Sequence, residues 1–155
     1  MTTYAIPTRR LDLALMLLRT VVGAVFILHG WQKLFVLGFE GVTGGFTQMS
    51  IPAPEIVARV VPLVEFFGGI LLVMGLFTRL AAFLLAMDML AATMLVHYQA
   101  GFFLPNGYEF TLTLMGASLA VMLAGPGSFS LDAWLKSRRG TWAPAEGPIT
   151  VTRYA

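Results

Sequence analysis

Three ionisable side chains interrupt stretches of the sequence that are otherwise apolar. They are Arg19, Glu65 and Asp88. An ionisable group is costly at the centre of a bilayer, so such residues face a protein interior, find partners and commonly serve a proton or a ligand. If all three are ionised, the group carries a net negative charge, which a low-dielectric site resists. One of the two carboxyl groups is therefore a candidate proton carrier.

The positions of these residues in their apolar stretches predict a similar depth for all three. At about 1.5 Å per helical residue, Arg19 lies about 12 Å from the start of its stretch, and Glu65 and Asp88 lie about 14 Å from the starts of theirs. We expect one polar layer near the middle of the membrane, in which Arg19 pairs with Glu65, with Asp88 or with both. The alternative is a purely structural clamp that fixes the register of the helices.

A second polar layer is predicted at the outer ends of the same stretches, where Lys33 and Glu109 can pair. This layer is shallower, so its side chains can extend to water. A haem held by His29 and His97 is conceivable in a four-helix bundle, but His97 lies about half a turn from Asp88 and is predicted to face away from the shared centre. Convergent ligands for a metal are too few. The layer contains His29, Lys33, His97, Asn106, Tyr108 and Glu109.

The elements that must position these side chains are membrane helices. Hydrophobic residues make up 57% and charged residues 12% of the 155 residues, whereas a soluble domain carries about 25% charged residues. The mean hydropathy is +0.80. Each apolar stretch has about 18–25 residues, enough to cross about 30 Å of hydrocarbon. The sequence predicts an all-α, polytopic membrane protein with four transmembrane helices in an antiparallel bundle, at about 11–35, 56–76, 79–99 and 108–125.

Several kinds of chemistry are excluded by composition and motif. The chain has no cysteine, which excludes disulfides, thiolate metal sites and thiol nucleophiles. Neither a dinucleotide-binding glycine motif nor a phosphate-binding loop is present, and no Ser/His/Asp arrangement can be proposed. The net charge of +2 gives no indication of nucleic-acid binding.

The distribution of basic residues predicts the orientation. Stretches 36–55 and 100–107 lack Lys and Arg, whereas the other connections and both flanks carry them. Because cytoplasmic segments are enriched in these residues, both termini are predicted to be cytoplasmic, in the plasma (inner) membrane of a bacterium or archaeon. The basic residues in these flanks and in the connection between the second and third stretches are Arg9, Arg10, Arg79, Lys136, Arg138 and Arg139.

The remaining segments complete the predicted organisation. Residues 1–10 form a cytoplasmic N-terminal segment, 11–125 the transmembrane domain, 126–139 an interfacial cytoplasmic segment and 140–155 a flexible tail. Within the interfacial segment, Ser130 is expected to cap a short helix that carries Trp134. The outer stretch 36–55 is rich in glycine and apolar residues, so we expect a loop that dips into the interface or folds over the bundle.

A set of short motifs, spread in order over roughly residues 15–135, resembles the DoxX family of membrane proteins. Each motif is short, and the match lies in their order and spacing. Asp88 and His97 are not tied to the family pattern. The motifs are Leu18-Arg19 with Gly23 and Phe26, His29-Gly30-x-x-Lys33-Leu34-Phe35, Glu65-x-x-Gly68-Gly69, Gly75-Leu76-x-Thr78-Arg79, Asn106-Gly107-x-Glu109 and Gly125-Pro126-Gly127-x-x-Ser130-Leu131-Asp132.

The resemblance implies a four-helix inner-membrane protein connected with quinone redox chemistry. The founding members are associated with a terminal quinol oxidase and with thiosulfate:quinone oxidoreduction, and others with oxidative-stress complexes and quinone resistance. The first hypothesis is thus a quinone- or quinol-interacting subunit of a membrane oxidoreductase or oxidative-stress system, with a lipid quinone as its cofactor and no other. Electrons would come from a soluble or membrane-bound oxidoreductase partner.

In this hypothesis both polar layers contribute residues to proton transfer and to quinone binding. Glu65 is the leading proton donor or acceptor, Arg19 tunes it and bonds a quinone carbonyl, and Asp88 is a further proton site. The residues expected to contact the quinone are Arg19, His29, Lys33, Glu65 and Glu109.

Two alternatives stay open, and whether the chain is itself an enzyme is left undecided. In the first, the protein is a non-catalytic membrane anchor or assembly factor, and a soluble partner docks on the segment around Trp134 and its basic neighbours. In the second, it transports a proton or a small molecule, for which four short helices would need a homo-oligomer.

Overall fold

The computed structural model describes residues 2–6, 8–138 and 149–153. Helix α1 (Thr8–Trp31) continues through a π-helical segment (Gln32–Leu37) into α2 (Gly38–Gln48), and α3 spans Pro54–Met74. Helix α4 (Thr78–Ala92) continues through a second π-helical segment (Thr93–His97) and a 3-10 turn (Tyr98–Ala100). Helix α5 spans Glu109–Ala124, and the short α6 spans Leu131–Arg138.

The long helices close into a four-helix bundle, which confirms the predicted fold class. Helix α1 packs on α3 and α5, and α4 packs on the same two helices. Within the described part of the chain, three stretches are long and apolar enough to cross a membrane, namely Thr8–Gln48, Pro54–Met74 and Thr78–Ala100. The fourth, Glu109–Ala124, is a shorter apolar helix. The predicted boundaries agree with these helices to within a few residues, except at the end of the first.

The outer stretch after α1 is helical, so its prediction as a loop was wrong. Gly38 has φ +67°, which lets the chain change direction between the π-helical segment and α2. Helix α2 then folds back on α3, with Val42 buried on that side. The four glycines of this stretch indicated a loop from sequence, but tertiary packing of an apolar face outweighs weak helix propensity.

Glycines allow α1 and α3 to approach closely. A Cβ atom added to Gly23 would lie 2.7 Å from the carbonyl oxygen of Gly69, and the reciprocal substitution gives the same distance to the oxygen of Gly23. Small residues of this kind are the usual means of close helix packing in membranes. Buried Phe26, Leu72 and Leu85 fill the core beside this crossing.

Short segments tie the helix ends together at the opposite, inner end of the bundle. Gly75 ends α3 and Gly125 ends α5, both with positive φ. The Ser130 hydroxyl accepts the N–H of Ala133 at 3.1 Å, which confirms Ser130 as the cap of α6. The N–H of Asp132 donates to the carbonyl of Gly75 at 2.9 Å, so α6 is attached to the end of α3.

The two ends of the chain meet in an antiparallel strand pair that the sequence did not indicate. Strand β1 (Thr2–Ile6) pairs with β2 (Ile149–Arg153). Four crossings place both ends on one side of the membrane, and the pairing agrees with this; the cytoplasmic assignment of that side stays a prediction. The predicted flexible tail, residues 140–155, lies largely outside the described residues, which resume only at 149–153.

Candidate functional site

A buried ion pair between α1 and α3 lies at the centre of the candidate site. The Lys33 ammonium contacts both carboxylate oxygens of Glu65, at 2.7 and 2.5 Å. Glu65 is 3% exposed, whereas the Lys33 side chain is partly exposed. Gly30 makes this geometry possible, because a Cβ at this position would lie 2.5 Å from the backbone nitrogen of Phe66.

The pairing predicted for Lys33 was therefore wrong. Glu109, its expected partner, accepts the backbone N–H of Leu104 at 2.8 Å and so stabilises the second outer turn. Lys33 lies in the π-helical segment that follows α1, and such segments change the direction in which a side chain points. The prediction separated Lys33 and Glu65 into two layers by the depth of their Cα atoms, and the long lysine side chain, which points back toward the start of its helix, spans that separation.

Arg19 lies elsewhere, and its predicted pairing with Glu65 or Asp88 was also wrong. Its two terminal nitrogens donate to the carbonyls of Leu72 and Val73, each at 3.3 Å, and to the carbonyl of Phe129. Leu72 is seven residues beyond Glu65, about 10 Å further along α3. Of the three guanidinium nitrogens of Arg19, Nε alone lacks a partner among the described residues.

The cause of this error is the length and direction of the arginine side chain. Helical side chains point back toward the N-terminus of their own helix, here toward the inner end of the bundle. The last carbonyls of α3 have no intrahelical partners there, and a guanidinium complements the negative end of the helix dipole. The depth predicted for Arg19 was that of its Cα atom, whereas its guanidinium lies closer to the inner end of the bundle.

Two aspartates complete a set of contacts at the inner end that we call the inner clamp. It consists of Asp12, Arg19 and Asp132 with their backbone and hydroxyl partners. Asp132 accepts the N–H groups of Phe77 and Thr78, each at 2.9 Å, and thereby caps α4 from α6. Asp12 accepts the N–H of Ser128 at 3.0 Å and also its hydroxyl. Each charge of the clamp thus stabilises a helix end or a connecting turn.

A cavity of about 360 Å³ opens beside the ion pair, in the outer half of the bundle. We call it the outer cavity. Its walls come from the bundle helices, α2 and both outer connections, and they are predominantly apolar. This volume lies in the range of small-molecule sites, which combine apolar walls with a few placed polar groups. Its polar lining consists of His29, Lys33, Glu65, Asp88, His97 and Thr111.

Asp88 lines the outer cavity from α4 and is the least satisfied charge in it. Its Oδ2 atom is buried and has no hydrogen-bond partner among the described residues. Buried polar atoms nearly always have a partner, so an exception calls for an explanation such as a functional role or a missing ligand. The sequence did single out Asp88, although on a mistaken expectation of its partner.

His97 also lines the outer cavity, contrary to the prediction that it faces away from Asp88. The π-helical segment Thr93–His97 lies between the two residues and changes the helix phase that the prediction assumed. The Nδ1 atom of His97 lies 2.8 Å from the carbonyl oxygen of Asn106. A carbonyl only accepts, so Nδ1 carries the hydrogen, and in a neutral ring Nε2 is left as an acceptor.

The site residues predicted from sequence therefore separate into two groups. His29, Lys33, Glu65 and Asp88 converge on the outer cavity, whereas Arg19 belongs to the inner clamp. Glu109 does not line the cavity but supports the turn that closes it. Sequence reasoning missed Thr111, whose hydroxyl pairs with that of Thr93 at 2.7 Å and joins α4 to α5.

The outer cavity combines apolar walls with a few polar groups that can bind polar atoms of a ligand. The ammonium of Lys33 is a donor whose charge is balanced by Glu65, while the carboxyl group of Asp88 and the acceptor Nε2 of His97 can bind a hydroxyl group of a ligand. Leu95 and Leu104, which also line the cavity, are 51% and 56% exposed. The cavity wall thus reaches the apolar surface of the bundle.

Comparison with known proteins agrees with the motifs. The DoxX family model matches residues 14–98. The chain is 32% identical over 124 residues to CatD of Bacillus subtilis, which is provisionally named an oxidoreductase, covering 80% of this chain and 88% of that protein. It is 36% identical over 119 residues to a protein of Haemophilus influenzae, covering 74% and 85%.

A further relative is inner membrane protein YphA of Escherichia coli, at 31% identity over 127 residues, covering 76% of this chain and 87% of YphA. No solved structure matches at a comparable level of significance. These bacterial relatives, together with the apolar helices, assign the chain to the bacterial inner membrane as a multi-pass protein. The protein belongs to the DoxX family.

Proposed function

We propose that the protein is a quinone- or quinol-binding subunit of a membrane oxidoreductase or oxidative-stress system, and that the outer cavity is the binding site. One observation carries the proposal. A buried Lys33–Glu65 ion pair and an unpartnered oxygen of Asp88 face the same apolar cavity. The provisional name of CatD supports the redox context, since it refers to an oxidoreductase.

The cavity fits the head group of a quinone in size and polarity. Its volume of about 360 Å³ accommodates a substituted ring, and its apolar walls provide contact area. The lipid-exposed surfaces of Leu95 and Leu104 offer a path along which an isoprenoid tail can leave the cavity. When bound, a quinone supplies a carrier of two electrons and two protons.

The protein's own contribution would be to orient the ring and to move protons. Lys33 would donate to one ring oxygen while Glu65 balances its charge. At the opposite ring oxygen, Asp88 and Nε2 of His97 would accept the hydroxyl hydrogen of a quinol, while the carbonyl of Asn106 accepts from Nδ1 of His97 and holds that tautomer. Electrons would be exchanged with an oxidoreductase partner.

The two π-helical segments give this assignment further support. One carries Lys33 and the other carries His97, and these are two of the basic side chains of the cavity. Local π-helical turns occur frequently at functional sites. They interrupt two long membrane helices at one level, which indicates that side-chain placement there outweighs regular backbone hydrogen bonding.

The proposal is tested by the quinone content of the purified protein after extraction and quantitation. We expect near-stoichiometric quinone in the wild type and a loss of most of it in Asp88→Asn and Glu65→Gln. Glu55→Gln is the matched control, because this carboxylate is exposed at the start of α3 and does not line the cavity, and it should retain quinone. Absence of quinone from wild-type protein purified with added quinone would refute the proposal, as would equal content in all variants.

One observation favours the anchor alternative as a second candidate. Trp134 on α6 is 49% exposed, and the guanidinium carbon of Arg138 lies 4.5 Å from its ring centroid. Since Asp132 attaches α6 to the bundle, this aromatic and basic surface is held rigidly at the inner end. An anchor would retain a stoichiometric soluble partner in a tagged pull-down and lose it in Trp134→Ala, whatever the quinone content.

A further inference from the structure

A second groove lies at the inner end of the bundle, about 20 Å or more from the outer cavity by the length of the helices between them. It runs between the start of α1, the turn after α5 and helix α6. Its volume is about 1050 Å³, which reaches the upper range of small-molecule sites. We call it the inner groove, and nothing in the proposed quinone chemistry uses it.

Basic side chains from three separate elements line the inner groove. Arg9 belongs to the first turn of α1, Arg79 to the first turn of α4, and Lys136 to α6. Among the described residues, neither arginine has an ion-pair partner. The nearby carboxylate of Asp12 is already engaged by the N–H and hydroxyl of Ser128. With three cations and one carboxylate among its lining residues, the groove carries a net positive charge.

Arg79 is held in place by the turn that follows α5. A Cβ atom on Gly125 would lie 3.3 Å from both Nε and Nη2 of Arg79, so the guanidinium packs directly over this glycine. Gly125 has φ +87°, a conformation that glycine adopts without strain. The fold thus orients a cation that no carboxylate of the described chain holds.

The base of the groove is apolar and extends along a membrane helix. Leu11, Leu15 and Leu18 line it, and their spacing of four and three residues places them on one face of α1. From Leu11 to Leu18 this face runs about 10 Å toward the middle of the bilayer. Small anions in water would need only the basic rim, whereas an amphiphile would use both the rim and the base.

We propose that the inner groove binds an anionic phospholipid, with the head-group phosphate between Arg9 and Arg79 and an acyl chain along Leu11, Leu15 and Leu18. Basic pockets between helices at the cytoplasmic side of a membrane suit such head groups. The lipid would bridge α1, α4 and α6, the same elements that the inner clamp joins by hydrogen bonds.

The test is native mass spectrometry of the full chain from mixed micelles that contain phosphatidylglycerol and phosphatidylcholine in equal amounts. Wild-type protein should retain phosphatidylglycerol preferentially. Each arginine near a membrane surface contributes about a five-fold preference for anionic lipid. The double variant R9Q/R79Q should lose at least ten-fold of this preference, while the charge-preserving R9K/R79K should keep most of it.

A matched control uses the outer end of the bundle. Arg59 is a cation that lines a separate surface cleft with Glu40 and Glu55, and Arg59→Gln should leave the preference unchanged.

Because Arg9 and Arg79 are exposed, R9Q/R79Q should unfold at the wild-type temperature in neutral detergent. Equal retention of the two lipids by wild type, or an unchanged preference in R9Q/R79Q, would overturn the proposal. So would displacement of the lipid by glycerol phosphate, because the apolar base would then contribute nothing.

Discussion

The inner clamp and the outer cavity use buried charge in opposite ways. In the clamp, Arg19 meets the carbonyls that end α3, and Asp132 meets the N–H groups that begin α4. In the cavity, Lys33 and Glu65 form an ion pair, and the Oδ2 atom of Asp88 has no hydrogen-bond partner in the described chain. Charges that cap helix ends are explained by the fold alone. Charges that border a cavity are not explained by the fold alone, and they indicate where a ligand or a proton could bind.

The ion pair of the outer cavity gives the largest expected effect on stability. Lys33→Met leaves Glu65 buried without its partner, and breaking a buried pair in this way costs about 3–5 kcal/mol. The double variant Lys33→Met/Glu65→Leu should recover most of this loss, because replacement of both charges removes the unpaired one. Unfolding in graded SDS measures both. A double variant no more stable than the single one would show that the pair is required for folding.

Arg19→Met gives the next largest effect and separates the two regions. It removes three hydrogen bonds that a charged group donates to the carbonyls of Leu72, Val73 and Phe129, which should cost about 3 kcal/mol. Quinone content per folded molecule should nevertheless stay at the wild-type level, since Arg19 does not line the cavity. A loss of quinone in protein that is still folded would connect the clamp to the binding site.

Asp132→Ala weakens the same clamp by less. It removes the side-chain cap of α4, and losing such a cap typically costs about 1 kcal/mol, up to about 2. The unfolding midpoint in SDS should fall between those of Arg19→Met and wild type. Asp132→Asn keeps one acceptor oxygen and should recover part of the loss; an effect equal to that of alanine would show that the carboxylate charge dominates the contact.

The contrast between the regions also explains what the sequence could predict. Hydropathy and length predicted the four membrane helices. Ser130 was recognised as a cap from its place before an amphipathic segment. These features depend on residues that are close together in the chain, so a single sequence is enough to predict them.

The partners of the charges could not be predicted in the same way. Arg19 is paired far from its Cα because its side chain is long and points toward the inner end. Lys33 was assigned to an outer layer from the depth of its Cα, although its side chain reaches Glu65. His97 lies in a π-helical segment, for which no residue pattern of the sequence gave a signal, so its phase was misjudged. Glu65 and Asp88 were correctly selected as facing the interior of the bundle, and the cavity that they line is formed only by tertiary packing.

The smallest expected effect on stability belongs to Asp88→Asn, and it is the sharpest test of the comparison. Because Oδ2 has no partner among the described residues, an amide of the same shape loses no hydrogen bond, and the free energy of unfolding should change by less than about 0.5 kcal/mol. Quinone content should fall strongly all the same. A residue of the clamp type would show the reverse, a loss of stability with binding unchanged. If Asp88→Asn destabilises the bundle and quinone content stays constant, Asp88 is a structural residue, and the distinction between charges that cap helix ends and charges that border the cavity does not locate the site.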